Sequence, residues 1–192
     1  MSGYGMPEVK TKQRPVLPDW KPYPYTVLPI PVMKSEGITK GIFTYLLYYD
    51  QTMTIYGGCF LIRGVTGHNI LVDTGPTVED FKAHGYPCEG IKPMPEALKE
   101  ATGLTTDDID TVIFTQLHHD HCPLAQMFRH AKLIVQKDEW NGVHNAPACY
   151  KFLYNPEYLE GLNPAFVDGD VFDIFPGIHL LYTPGHTPGG QS

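Results

Sequence analysis
Apolar residues fall in short runs between Gly- and Pro-rich turns, which is the pattern of strands rather than of a helical bundle. Gly41–Tyr49 is aromatic and rich in strand formers. Thr54–Arg63 contains the apolar piece Cys59–Ile62, and Asn69–Asp73 is a short apolar run ending in an acid and then Thr74–Gly75. The reading predicts a strand at each. Helical spacing follows at Thr77–His84 and at Pro95–Thr102, where Pro93 and Pro95 mark a start because a first-turn N–H has no partner to lose. Thr106–Asp108 predicts a further turn of helix. Thr111–Thr115 and Lys132–Gln136 read as strands, Lys137–Val143 as a helix, and a second helix is expected within Ala146–Tyr154. Val171–Ile174 and Ile178–Tyr182 read as late strands. Strands come first and helices then alternate with strands, so the expected class is a layered α/β or α+β fold.

The first 31 residues hold seven of the eighteen prolines. Proline fixes φ and removes a backbone donor, so residues 1–35 are expected to form an extended arm ahead of a domain over 36–192. Trp20, Tyr23 and Tyr25 give the arm apolar anchors. It is either a frayed terminus or a segment packed on its own domain or on a second subunit.

Composition narrows the class. Hydrophobic residues make up 42% and charged residues 18%, a globular balance. The formal charge of −7 argues against a nucleic-acid binder, which needs a basic face. The longest apolar run, Ile42–Tyr49, falls far short of the roughly 18 residues that span a bilayer, so no membrane partner is expected. Met1–Lys12 lacks an apolar core of the secretory type. Cys59, Cys88, Cys122 and Cys149 are scattered with no CxxC pair, which suits free thiols in a cytoplasmic protein.

The chemistry is concentrated after the strand at Thr111–Thr115. The chain there reads Thr115-Gln116-Leu117-His118-His119-Asp120-His121-Cys122. Three imidazoles and a carboxylate on a loop leaving a strand end are natural ligands for zinc, iron or manganese. A second signal, Thr183-Pro184-Gly185-His186-Thr187-Pro188-Gly189-Gly190, also follows a strand and fixes His186 in a tight turn. Paired with the first cluster, His186 becomes a candidate further ligand.

Taken together, NILVDTG, the strand running into QLHHDH, and TPGHTPGG resemble the metallo-β-lactamase superfamily, most closely its N-acyl homoserine lactonase-like branch. The resemblance covers residues 55–192. It implies an α+β fold, an αββα sandwich of which this chain holds the N-terminal portion. It implies one or two divalent transition metal ions, zinc first, with manganese or iron as alternatives. His118 and His186 would hold the first ion, and Asp120 and His121 the second. Asp73 would orient a ligand imidazole, although a cap or turn role is open to it as well. The implied reaction is attack of metal-bound hydroxide on the carbonyl of a lactone or a related cyclic ester or amide, with Asp120 as the catalytic acid–base group. The implied partners are a small-molecule substrate, a complementary C-terminal half or second chain, and a further copy in a homo-oligomer.

Two departures qualify that reading. The leading histidine of the family pattern is Gln116 here, whose amide oxygen is a poorer donor for a borderline metal. The chain also stops at Ser192, where the family continues with a metal-bridging aspartate, a final histidine and the second half of the sandwich. The alternatives are a mononuclear iron oxygenase of the persulfide dioxygenase type, which a weakened metal position favours, and a metal-free pseudoenzyme. A nuclease is disfavoured by the charge. Alternation turns His119 away from Gln116 and His118, so it is expected to pack or to support, and Cys122 reads as a small buried residue. His68 reads as surface. His84, His130, His144 and His179 lack ligand-like neighbours, with His144 alone placed to reach a pocket. Tyr45, Tyr48, Tyr56, Trp140 and Tyr150 are candidate pocket walls, although core positions are the commoner fate of such residues.

Overall fold
The computed structural model describes residues 24–44, 47–64 and 67–192. Two long strands, β1 (Thr26–Thr39) and β2 (Thr52–Arg63), pair antiparallel, and β3 (Asn69–Val72) continues the meander. The chain then switches to parallel addition. β5 (Thr111–Ile113) joins β3, β6 (Lys132–Gln136) joins β5, and β7 (Ala165–Val167) joins β6. With the short β4 (Glu89–Gly90) on the outer edge of β1, the order is β4-β1-β2-β3-β5-β6-β7. β8 (Val171–Phe175) and β9 (Ile178–Leu180) form a separate two-stranded sheet.

Period-two alternation assigns the two faces of the main sheet. Leu71, Val112 and Leu133 point to one side, where Phe81 of α1 (Val78–Ala83), Leu98 of α2 (Met94–Thr102) and Val143 of α3 (Lys137–Asn145) complete the main core. Their sequence neighbours Ile70, Ile113 and Ile134 point to the other side and pack against Leu180 and the partly buried Val171, Ile174 and Ile178 of the β8–β9 pair. Each such isoleucine contributes on the order of 1.5–3 kcal/mol by burial. The layers are therefore helix, seven-stranded sheet and two-stranded sheet, a mixed α+β arrangement. The second face is covered unevenly. Toward β1 and β2 it leaves Val27 58% and Phe60 49% exposed.

Several boundaries differ from the sequence reading. β1 crosses the division drawn at residue 35, so Thr26–Ser35 are sheet residues and not an arm. Trp20 and Tyr23, with the rest of residues 1–23, lie outside the described residues. Gly41–Tyr49 is no strand over its described part: Lys40–Ile42 is a 3-10 turn, and the Thr44 hydroxyl bonds the carbonyls of Lys40 and Leu47. That local side-chain bond competes with a ladder. Within Ala146–Tyr154, Pro147 interrupts the chain, and only a 3-10 turn at Lys151–Leu153 forms. No described helix is long and apolar enough to cross a membrane.

Candidate metal centre
β3 and β5 run parallel and adjacent, so the turn after β3 and the loop after β5 meet at the same end of the sheet. Asp73 sits in that turn with φ 58°, a left-handed conformation uncommon outside glycine. Hydrogen bonds hold it there. Its N–H donates to the Ile113 carbonyl (2.9 Å), and its carboxylate accepts the Thr115 N–H (2.7 Å) and the Thr115 hydroxyl (2.6 Å). The same carboxylate takes His121 Nδ1 at 2.8 Å, while the Thr74 N–H donates to the His121 carbonyl at 2.8 Å. The Asp73–Thr74 pair thus fixes both the ring and the backbone of His121. Gly75, at φ +75°, approaches the Gly58 backbone so closely that a Cβ would lie 3.0 Å from it.

With Nδ1 committed to Asp73, the other nitrogen of His121 points outward and lies 3.5 Å from Asp120 Oδ2. Burial opposes charge on His121, but Asp73 and Asp120 outweigh it and raise the ring's pKa to about 10. Burial likewise works against the Asp120 carboxylate, but the hydrogen bond and charge of His121 hold its pKa down to about 2. The three residues thus form a carboxylate–imidazole–carboxylate chain in which both acids favour charge on the ring between them. His118 differs. Burial first, and then His186, lower its pKa to about 4, so its imidazole is neutral at neutral pH. It meets His186 edge-on, with ring centroids 4.9 Å apart.

The expected residues thus stand as two pairs, His118 with His186 and Asp120 with His121. Gln116 lies beside the second pair. Its Nε2 is 2.9 Å from His121 Nε2, and its Oε1 is buried with no hydrogen-bond partner among the described residues. With charge on the His121 ring, its Nε2–H would face the Gln116 NH₂ donor to donor, and turning the amide over gives Oε1 that N–H as its partner. The fit to a cation therefore rests on the donor set itself, the neutral His118 imidazole and the Asp120 carboxylate.

Another group of candidate ligands lies behind the loop, where Asp80, His84 and His119 each present one atom within 4.8 Å of the others. The sequence reading found no ligand-like neighbour for His84, and this corrects it. The two rings are stacked 3.5 Å apart at 3°, however, and in-plane lone pairs on parallel rings do not converge on one ion. Hydrogen bonds account for the group instead. His119 Nδ1 lies 2.8 Å from the Asp80 carboxylate, and the two His84 nitrogens face the carbonyls of Asp80 (2.8 Å) and Phe152 (2.9 Å). Burial opposes charge on His84, but those carbonyls outweigh it and raise its pKa. The group clips α1 to the ligand loop and to the segment at Phe152. No local sequence signal joins residues 80, 84 and 119.

A cleft of about 310 Å³ opens beside His118 and His186, walled by Tyr150, Tyr154 and Pro147. A larger one, about 430 Å³, lies between α1 and β4 and contains none of the histidines, so the smaller cleft is the candidate substrate site. Of the aromatic residues proposed for a pocket wall, Tyr150 alone borders it. Tyr48 and Tyr56 are exposed, Trp140 and His144 line a different cleft, and Tyr45 lies outside the described residues. Cys122 is fully buried.

The profile of the Metallo-beta-lactamase superfamily matches residues 55–192. The N-acyl homoserine lactonase of Bacillus thuringiensis is 33% identical over 147 residues, covering 70% of this chain and 56% of that protein. An N-acyl homoserine lactonase of Azorhizobium caulinodans is 29% identical over 160 residues, covering 69% and 57%. A solved N-acyl homoserine lactone hydrolase, with the product N-hexanoyl-L-homoserine bound at its catalytic metal centre, matches with a TM-score of 0.66 at 25% identity over 88% of this chain and 68% of that one. The chain spans just over half the length of these curated relatives.

Proposed function
The chain belongs to the metallo-beta-lactamase superfamily, and from that premise we propose that it carries the metal-binding half of a hydrolase that opens lactone rings. A bound divalent transition metal, zinc in this proposal, supplies a water acidic enough to lose its proton near neutral pH and a Lewis acid for the carbonyl. His118 and His186 would hold one cation. His121 and Asp120 form the second pair, with Asp73 keeping the His121 ring in register through Nδ1. Asp120 accepts a proton from the attacking water in this proposal, and its side chain is 39% exposed. Tyr150 and Tyr154 give the cleft an apolar wall suited to the substrate's carbon skeleton.

The observation carrying this reading is the pairing itself: two couples of donor side chains at one sheet end. The test is ring opening of an N-acyl homoserine lactone by the zinc-loaded protein, together with its metal content. Zinc-dependent opening that is lost in His118→Ala supports the proposal. A zinc-loaded, folded protein that opens no lactone contradicts the reaction assigned. Gln116 also supports a second reading. An amide where an imidazole would complete a metal position favours one ion over two, as in a mononuclear iron oxygenase. One iron per chain with persulfide-dependent oxygen uptake would select it.

A further inference from the structure
One acidic residue outside the ligand set touches both ligand-bearing segments. Glu139 stands in the first turn of α3 and is completely buried. Its Oε1 accepts the N–H of Leu117 at 2.9 Å, and its Oε2 accepts the N–H of Gly189 at 3.0 Å. Leu117 directly precedes His118, and Gly189 closes the turn that carries His186. The two oxygens of one side chain thus tie together loops that are about seventy residues apart in sequence. The contact is close: a Cβ on Gly189 would lie 2.1 Å from the Glu139 backbone nitrogen, so the turn rests directly on the start of α3. An acid suits that place because the first helical turn presents free N–H groups and the positive end of the helix dipole.

We propose that Glu139 is a positioning residue for the metal centre, resting on the reading above: its carboxylate sets the separation and orientation of His118 and His186 by holding one backbone N–H from each segment. A neighbouring latch supports it. The Gln191 N–H donates to the Thr115 carbonyl at 2.9 Å, and Gln191 Nε2 donates to the Phe114 carbonyl at 2.7 Å, so the segment leading into His118 and the segment following His186 are joined a second time. The residue acts without touching the ion, and its substitution moves the centre rather than emptying it.

Glu139→Gln keeps the shape but replaces one acceptor with an NH₂ group that faces an N–H, opening one arm of the clamp. The expected result is zinc affinity weaker by about 10- to 100-fold in chelator competition, with an unchanged far-UV circular dichroism spectrum. The cobalt-substituted protein should also show an altered d–d absorption spectrum. A purely structural glutamate would lower the melting temperature and leave the cobalt spectrum as it was. A folded variant with wild-type zinc affinity and cobalt spectrum overturns the proposal. Should the variant not fold, or should the wild-type chain bind no zinc, amide exchange in the wild-type apoprotein decides. Slow, matched exchange at Leu117 and Gly189 supports a preformed clamp, and exchange at the rate of exposed amides refutes it. Absence of zinc binding by the wild type would count against the metal centre itself, a distinct result.

Discussion
Asp73 carries three hydrogen bonds to two neighbours through one carboxylate, and its substitution separates geometry from charge. Asn tolerates the left-handed backbone, so Asp73→Asn should keep the turn while losing the acceptor for His121 Nδ1. We expect zinc affinity to fall by roughly 10–100-fold and apoprotein stability by about 1–3 kcal/mol, read by chelator competition and urea unfolding. Zinc affinity within twofold of wild type would show that His121 orients without Asp73. The sequence marked this residue only through the family resemblance, with a cap or turn role open beside it, and the neighbours its carboxylate meets are delivered by the parallel pairing of β3 with β5. Glu139 was not legible in the same way. An acid in the first turn of a helix is ordinary, and only its contact with Leu117 and Gly189 distinguishes it. His84 was hidden for a similar reason, since its partner His119 is brought to it by the fold alone.

At the level of elements, β3, β5 and β6 were plain in the sequence. Strands buried on both faces are continuous apolar runs, as in NILV, TVI and KLIVQ. β1 was obscured by Pro29 and Pro31. These are tolerated because β4 borders β1 only at Met33 and Lys34, leaving the proline stretch open on that side. The clip around α1 yields a pH prediction. The His84 pKa is raised above its ordinary 6.5, so its charge-dependent contribution is fully present below about pH 6.5 and is lost as pH rises through the raised value. The difference in apoprotein melting temperature between wild type and His84→Ala should therefore be larger at pH 6 than at pH 9. A difference that stays level or grows with pH would mean that the ring is held by packing alone. In the main core, Leu71→Ala removes a completely buried side chain of β3 and should cost about 2–5 kcal/mol, measured by denaturant unfolding.

On the scale of the whole molecule, three layers place the two turns proposed to carry ligands, and the Asp73 turn, at one end of a mixed sheet. The family assignment agrees with this layered architecture, and the relatives extend well beyond the matched length. If the proposed centre binds zinc only in the folded state, metal and stability are linked. Zinc held at a hundredfold excess over its dissociation constant should stabilise the chain by about 2.7 kcal/mol, and a chelator should reverse the accompanying rise in melting temperature. The most direct measurement is the number of zinc ions retained per chain after dialysis, for wild type and for the His118→Ala/His186→Ala double variant. Two donor pairs predict at least one ion in the wild type and a lower count in the folded variant. A folded wild type that retains none, or a variant that retains as many, would contradict the metal centre.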